Sequence, residues 1–274
     1  MSQLSFDLLV SAFDSLPENA REKPAAGVKP QVKSLSRMVT YDVARKQFIS
    51  VFMDTGRHLH RRDVFRDFIT LAASELDMAR IRTPENIERS RQICERYSPA
   101  DLDNMKLLFS LLVASLEGKF HDFLGAVFME LEMGAGEMGQ YFTPYSVQSL
   151  MARLLMPGVK DTIAREGWFT LSEPTCGAAG MVIAFAECLL DAGYNPSWHM
   201  FASCIDIDPL AADMAFIQLS LLGIAAEVTT GNTLTMKFNR VRYTQVYYFN
   251  EWEPRLTLRR QVDAMKRVLA LMAA

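Results

Sequence analysis

The second half of this chain repeats one order of elements, a short apolar run, a turn and a helix, and this order constrains the fold most. The first apolar run ends in a glycine-rich turn, and the helix after that turn ends at Gly193. Strands that alternate with helices predict parallel βαβ units, so we expect an α/β sheet. The predicted strands are 169–171, 199–205, 226–229 and 245–249, and the predicted helices between them are 181–192 and 210–222.

The first half has a helical pattern instead. Between residues 41 and 117 apolar residues recur at three- and four-residue spacing, which is typical of amphipathic helices. Ser98 as N-cap, with Pro99 at the first helical position, predicts a helix from Pro99 to about Leu116. The glycine-rich segment 134–139 marks a change of pattern. We therefore expect an N-terminal arm or linker at 1–40, a helical domain at 41–133 and the sheet domain at 134–274.

Composition excludes several classes of protein. Half of the 274 residues are hydrophobic and 22% are charged, a balance that excludes wholesale disorder. The formal net charge of −3 excludes a global positive field, so any nucleic-acid surface must be local. Four cysteines without a C-x-x-C pair favour neither a zinc site nor a disulfide framework and fit the reducing cytoplasm. No apolar run reaches the length of a membrane helix, so we expect no membrane association.

Polar residues follow three successive predicted strands, and ligands of open parallel sheets bind at such strand ends. Glu173 opens the glycine-rich turn after the first strand, and Asp206 follows the second. A carboxylate there can accept hydrogen bonds from ribose hydroxyls, while Asp208 is better placed to cap the next helix. Asn232, after the third strand, offers the donor and acceptor that an adenine amino edge requires. Together these residues predict a nucleoside pocket.

Four motifs occur in one order: GQYFTP at 139–144, EPTCGAAG at 173–180, DIDP at 206–209 and GNTL at 231–234. In order and spacing they resemble the N6-adenine DNA methyltransferases, in particular the modification subunit of type I restriction enzymes. The resemblance covers roughly residues 102–250. It implies a helical N-terminal domain followed by a Rossmann-like, S-adenosylmethionine-dependent methyltransferase domain, with adenine in DNA as the substrate.

The same resemblance implies a set of cofactor contacts. Against the methionine moiety it places Tyr141, Phe142, Thr143 and Pro144. Near the sulfonium it places Glu173 with the backbone of Cys176, Gly177 and Gly180. It assigns Asp206 to the ribose, Ile207 to packing on the adenine and Asn232 to the adenine amino edge. Plain core packing of Phe142 and a capping role for Asp206 remain alternatives, and Cys176 is interpreted as a small residue of the turn rather than a nucleophile.

The target-base motif departs from the family. In members of the family the fourth strand ends in Asn-Pro-Pro followed by an aromatic residue. This motif holds the extruded adenine. Here Asn250 and Trp252 are the candidate catalytic residues, but Glu251 lies between them and both prolines are missing. Two hypotheses follow: an adenine-specific methyltransferase with a degenerate motif, or a non-catalytic homologue that binds cofactor or DNA and regulates a partner. A third is that a second polypeptide supplies missing strands.

Only 24 residues follow Asn250, and they predict one amphipathic helix at 256–271. The sheet would then be incomplete, with its fourth strand as an exposed edge, and edge strands pair readily. We therefore expect a homodimer, or a methyltransferase or specificity partner, to cover this edge.

DNA is the other expected partner, through local basic clusters. One cluster is Arg57–Arg62 with Arg66, and the other is Arg240 and Arg242 with the terminal helix. Such clusters either contact phosphates or form solvated faces with ion pairs to Asp63 and Asp67. His58 and His60 lack neighbouring ligands, so no metal site is predicted.

Overall fold

The computed structural model describes residues 41–131 and 142–273. The predicted arm, the glycine-rich segment 134–139 and Tyr141 lie outside the described residues. The helical part consists of α1 (Tyr41–Asp54), α2 (Arg61–Leu76), α3 (Pro84–Cys94), α4 (Pro99–Gly118) and α5 (Phe123–Glu130). The sheet part consists of α6 (Tyr145–Glu166), β1 (Phe169–Glu173), α7 (Gly180–Asp191), α8 (Pro196–His199), β2 (Met200–Asp206), α9 (Pro209–Leu221), β3 (Ala225–Asn232), β4 (Lys237–Tyr243), α10 (Gln245–Phe249) and α11 (Trp252–Ala273). None of the described helices has the length and apolarity needed to cross a membrane.

The start of α4 confirms the helix predicted from Ser98 and Pro99. The Ser98 hydroxyl accepts from the backbone N–H of Asp101, and the Asp101 carboxylate accepts from the backbone N–H of Ser98. This reciprocal capping box satisfies two N–H groups that the first turn of a helix leaves unpaired. Pro99 supplies the helical φ at a position where no N–H is needed.

The sheet confirms the predicted α/β class, a helical part followed by a Rossmann-like sheet. The strand order is β1-β2-β3-β4, and β1, β2 and β3 are parallel. Glu173 lies opposite Cys204, and Asp206 lies opposite Thr230. The carboxyl ends of the three parallel strands, with the turns that follow them, therefore share one edge of the sheet.

The predicted fourth strand at 245–249 is wrong, because these residues form the short helix α10. The fourth strand is β4, which runs antiparallel to β3 in a register that places Thr229 opposite Val241. Only residues 233–236 connect β3 to β4, and a connection this short favours an antiparallel hairpin over a parallel crossover. The Thr244 hydroxyl then holds the chain on β3 by accepting from Ala226 N–H and donating to the Ile224 carbonyl.

This hairpin reverses the direction in which the chain leaves the sheet. After β4 the chain is back beside Ala226, at the amino end of β3. The sheet's outer strands are thus β1 and β4, so the edge argument for a dimer at 245–249 loses its basis. The dimer itself stays a prediction.

The helical part and the sheet part share one hydrophobic core among the described residues. Phe48, Phe65 and Phe68 of the helical part belong to the same buried cluster as Phe216 of α9. A buried ion network links the parts again, since Arg242 of β4 pairs with Asp77 after α2 and with Asp213 of α9. The division between domains at 133 and 134 remains an interpretation, because it falls outside the described residues.

Candidate functional site

The glycine turn after β1 is held in a fixed shape by its own backbone. Cys176 N–H donates to the Ile205 carbonyl at 2.9 Å, and Ala179 N–H donates to the Cys176 carbonyl at 2.8 Å. Gly177 has a φ of +54°, and a Cβ there would lie 3.0 Å from the Phe142 ring. This conformation favours glycine, and the half-buried Phe142 lies directly against the turn. Phe142 also packs on Phe128, with ring centroids 5.1 Å apart, so it has both a packing contact and a place at the site.

Asp206 connects the ends of β1 and β2. Its Oδ2 accepts from Gly177 N–H at 2.8 Å and its Oδ1 accepts from Asp208 N–H at 2.9 Å. Burial raises the pKa of this carboxyl above its ordinary value, while these backbone donors act in the opposite direction. A carboxylate has about four acceptor positions, so Asp206 can fix the turn and still accept from a ligand hydroxyl. The predicted cap is Asp208, whose side chain accepts from Leu210 N–H at 3.0 Å.

Glu173, the last residue of β1, and Cys176, in the turn after β1, differ in burial and in the chemistry that their side chains allow. Glu173 is half-buried, and burial raises the pKa of its carboxyl while Thr175 N–H lowers it. Cys176 is buried, and a hydrogen bond with Cys204 together with burial raises the pKa of its thiol well above the ordinary value. A thiol with a raised pKa is a poor nucleophile. The geometry therefore agrees with Cys176 as a packing residue of the turn, and all four cysteines are free.

Two further predicted contacts lie at the same edge of the sheet. Ile207 is 62% exposed directly after Asp206, which makes it available to pack on a planar ring. Asn232 Oδ1 accepts from Leu234 N–H at 2.9 Å and from Thr235 N–H at 3.1 Å, so it caps the turn between β3 and β4. The side-chain oxygen of Asn232, which was predicted to accept from adenine, thus already accepts two backbone hydrogen bonds. The side-chain amide nitrogen of Asn232 has no partner within 41–131 and 142–273. Thr143 and Pro144 are exposed at the start of α6.

A buried polar network behind the turn was not foreseen from the sequence. Gln218 of α9 donates to the Ala178 carbonyl at 2.7 Å and to Asp122 Oδ1 at 2.9 Å, and its Oε1 accepts from Leu124 N–H. Burial raises the pKa of Asp122 to about 6. A Cβ at Gly180 would lie 2.9 Å from Asp122 and would overlap the Gln148 side chain. One available signal was Gln218 itself, a polar residue within the apolar run of α9.

Asn250 and Trp252 do not lie at this site. The Asn250 amide and the Trp252 indole N–H both donate to the Ser197 carbonyl, at 2.9 and 3.0 Å, in the helix that precedes β2. They are thus at the amino end of the sheet, roughly 20 Å from Asp206 along the seven residues of β2 at about 3.3 Å per residue. Trp252 is fully buried against Trp168 and Phe201. The predicted stacking role of Trp252 is therefore wrong, and Asn250 is misplaced as a partner of a cofactor-bound base.

The basic clusters are largely engaged within the protein. Arg240 pairs with Asp213, and Arg242 is buried between Asp77 and Asp213, so the prediction that this pair contacts phosphates is wrong. Arg61 donates to main-chain carbonyls after α1, including that of Thr55 at 2.7 Å. Of the predicted ion pairs, Arg66 contacts Asp63 at 3.3 Å. Asp67 pairs instead with Arg96. Among the described residues, no cluster of three His, Cys, Asp or Glu side chains could hold a metal ion.

The residues at the carboxyl edge fit an adenosyl cofactor. Asp206 retains acceptor positions for hydroxyls, and Ile207 presents an exposed apolar surface beside the buried Gly177 turn. Parallel strands, a glycine turn and an acid at the next strand end are features shared by nucleotide- and S-adenosylmethionine-dependent Rossmann-like proteins. The fold is thus of that class, and this edge of the sheet is its candidate cofactor site.

Comparisons with known proteins narrow the class. Residues 121–248 match the family model of N-6 DNA methylases, so the predicted resemblance is confirmed over this part of the chain. A search of curated proteins finds no match.

Among solved structures, the chain is similar to a Listeria monocytogenes protein assigned to the class I S-adenosylmethionine-dependent methyltransferases. The two are 15% identical with a TM-score of 0.41, and the alignment covers 67% of this chain. The chain spans about half the length of that protein, 51%.

Proposed function

We propose that this protein binds S-adenosylmethionine at the turns after β1, β2 and β3 and acts in the methylation of adenine N6 in DNA. The observation that carries the proposal is Asp206, which closes the Gly177 turn within the region that matches the N-6 DNA methylases. When bound, S-adenosylmethionine supplies an electrophilic methyl group. In this proposal Asp206 accepts from the ribose and Ile207 packs on the cofactor's adenine. Tyr141, Phe142, Thr143, Pro144 and Glu173, with the backbone of Cys176, Gly177 and Gly180, surround the methionine part, and Asn232 contacts the adenine edge.

The proposed setting is a restriction-modification type of system in the cytoplasm, where DNA is the substrate and thiols stay reduced. The four free cysteines are compatible with this setting. A homodimer or a specificity partner remains part of the proposal.

A second candidate is a non-catalytic homologue that binds cofactor or DNA and regulates a partner. One observation favours it: Asn250 and Trp252 bind Ser197 at the far end of the sheet, so these two residues cannot hold an adenine beside the cofactor site. Direct transfer requires the amino nitrogen and the methyl carbon to meet in one geometry. In the catalytic version of the proposal, a partner chain or a second domain contributes the base-handling groups.

Calorimetric titration with S-adenosylmethionine tests the cofactor site. We expect Asp206→Ala to weaken binding by roughly tenfold or more, since hydrogen bonds to charged groups contribute about 1.5–3 kcal/mol. Asp208→Asn is the matched control, because it removes a charge two residues away and keeps a capping oxygen for Leu210. If wild-type protein does not bind the cofactor at micromolar concentrations, or if Asp206→Ala binds it equally well, the site assignment is wrong.

Transfer of a labelled methyl group separates the two candidates. Purified protein is incubated with labelled S-adenosylmethionine and either adenine-containing duplex DNA or a duplex of only guanine and cytosine. Label on the adenine duplex alone supports the methyltransferase. Cofactor binding without transfer to either duplex, both for the chain alone and after addition of an extract that supplies partner chains, supports the non-catalytic homologue.

A further inference from the structure

The terminal helix α11 leaves the body of the protein after its first turns. Trp252 is fully buried, whereas every residue from Ala264 to Met272 is exposed. A helix with no tertiary contacts is only marginally stable in water at this length, because most helical stability in proteins comes from packing of an apolar face. The projecting part of α11 thus has a face that needs a partner.

That face is an apolar stripe with the spacing of a helix–helix contact. Five side chains recur at alternating intervals of four and three residues, which places them along one side of the helix. We call them the α11 stripe: Leu258, Val262, Met265, Leu269 and Met272. Their exposed fractions range from 39% for Val262 to 80% for Met272.

A cavity extends the α11 stripe at its base. Leu258 belongs to the stripe and also lines this cavity, which has a volume of about 360 Å³. The exposed rings of Trp198 and Phe249 line the same cavity. Arg255 forms one wall and lies over the Trp252 ring, 3.8 Å from its centroid. A cavity of this size next to an apolar stripe suits a large anchoring side chain at one end of a docked helix.

Charge along the α11 stripe indicates the kind of occupant. Arg259 and Lys266 lie seven residues apart and therefore on the same side of the stripe. Arg259 pairs with Glu166 and Asp263, whereas Lys266 has no ion pair among the described residues. The opposite side of the stripe carries Gln261 and Val268, which have no charge. Acidic side chains on a docked helix would complement this basic flank.

A second copy of the chain fits the α11 stripe poorly. In an antiparallel pair of α11 helices the basic flanks would face each other, and in a parallel pair Lys266 would face the uncharged Gln261.

We propose that the α11 stripe and the adjoining cavity dock an acidic amphipathic helix of another protein. The helix lays its apolar positions along Leu258–Met272, inserts a large side chain between Trp198 and Phe249, and pairs acidic side chains with Lys266.

The test measures binding of two synthetic helices to the full chain by fluorescence anisotropy. Both probes carry leucines at the same three-four spacing and one tryptophan near the end that faces the cavity, and they differ only in flanking glutamates or lysines. We expect the glutamate helix to bind at least about tenfold more tightly at low salt. The preference should shrink as salt screens the pairs, and Lys266→Glu should abolish or invert it.

Two double variants with equal charge locate the surface. Met265→Glu/Leu269→Glu places charges within the α11 stripe and should weaken the glutamate helix at least about tenfold. Ala264→Glu/Leu271→Glu adds the same charges on another side of the helix and should bind as the wild type does. Circular dichroism and cofactor titration confirm that each variant folds.

Three results would overturn the proposal. The first is equal affinity for the two probes, or no binding of either. The second is a wild-type dimer in light scattering that Met265→Glu/Leu269→Glu dissociates, because the occupant would then be a second copy. The third is duplex DNA binding that this variant loses and the control variant keeps, because the surface would then contact nucleic acid.

Discussion

The two ends of the sheet use similar residue types for different purposes. At the carboxyl end, Asp206 and Asn232 accept hydrogen bonds from backbone N–H groups of the turns. At the amino end, Asn250 and Trp252 both donate to one carbonyl, that of Ser197, and the Trp252 ring lies inside a packed aromatic cluster. The first arrangement leaves Asp206 acceptor positions for a ligand, whereas the second uses side-chain donors of Asn250 and Trp252 to hold the chain in place. Residue type alone therefore does not distinguish a binding site from a structural cluster.

The largest effect is expected from removal of the buried ring at the amino end. Trp252→Ala deletes a fully buried side chain that packs on Trp168 and Phe201, and it should lower the free energy of unfolding by about 3–5 kcal/mol. Urea unfolding measures the loss. Trp198→Ala, at a ring that is 49% exposed, is the control and should cost far less. A stable Trp252→Ala protein that loses only methyl transfer would restore the catalytic role of Trp252 and show that the amino end is not purely structural.

A second prediction concerns the network behind the carboxyl end. Burial raises the pKa of Asp122 to about 6 from an ordinary 3.8, so the folded state binds a proton more tightly than the unfolded state. This contribution to stability is complete below about pH 4 and is lost as the pH rises through about 6. Asp122→Asn should therefore flatten that part of the profile and raise stability above pH 6, by on the order of 2 kcal/mol.

Urea unfolding between pH 4 and 8 measures this profile. Asp63→Asn is the control, since that carboxylate is exposed on α2. The prediction is wrong if the free energy of unfolding of the wild type, relative to that of Asp122→Asn, rises from pH 4 to pH 8.

A smaller effect is expected at the glycine turn. Gly177→Ala forces a side chain into a left-handed conformation, which costs about 1–2 kcal/mol, and brings its Cβ within 3.0 Å of Phe142. We expect weaker S-adenosylmethionine binding together with this loss of stability, because the turn lines the proposed pocket. Gly193→Ala also has a positive φ but meets no neighbouring atom, so it should cost similar stability and leave cofactor affinity unchanged. Equal cofactor affinity in both variants would show that the Gly177 turn does not contribute to cofactor binding.

The smallest effect is expected at Asn250. Asn250→Ala removes one hydrogen bond to Ser197, which contributes about 1 kcal/mol, and should leave cofactor affinity unchanged. Calorimetric titration and urea unfolding measure the two quantities. A fall in cofactor affinity would show that the two ends of the sheet are coupled and do not act independently.

Much of the fold followed from local patterns. The capping box at Ser98 fixes the start of α4 by side-chain chemistry that lies within four residues. The apolar runs of β1, β2 and β3 and the helices after β1 and β2 were also predicted, because each is set by periodicity and by turn residues. At the carboxyl end, Asp206 and Gly177 lie together because parallel strands bring their ends to one edge.

The misplaced residues depend on contacts that no local pattern contains. Residues 245–249 are apolar and aromatic, which favours a strand, yet Thr244 holds them against the start of β3 as a helix. Gln218 and Asp122 meet although 96 positions separate them, and the burial that raises the Asp122 pKa arises only in that packing.

The sequence by itself determined the α/β class, the first three strands and the residues of the proposed cofactor site, because these depend on periodicity and on motifs at strand ends. Only the tertiary structure decided the direction of β4, and with it the end of the sheet that Asn250 and Trp252 occupy. The physical reason is that a four-residue connection returns the chain along β3, and the buried packing of Trp252 then holds it at the amino end.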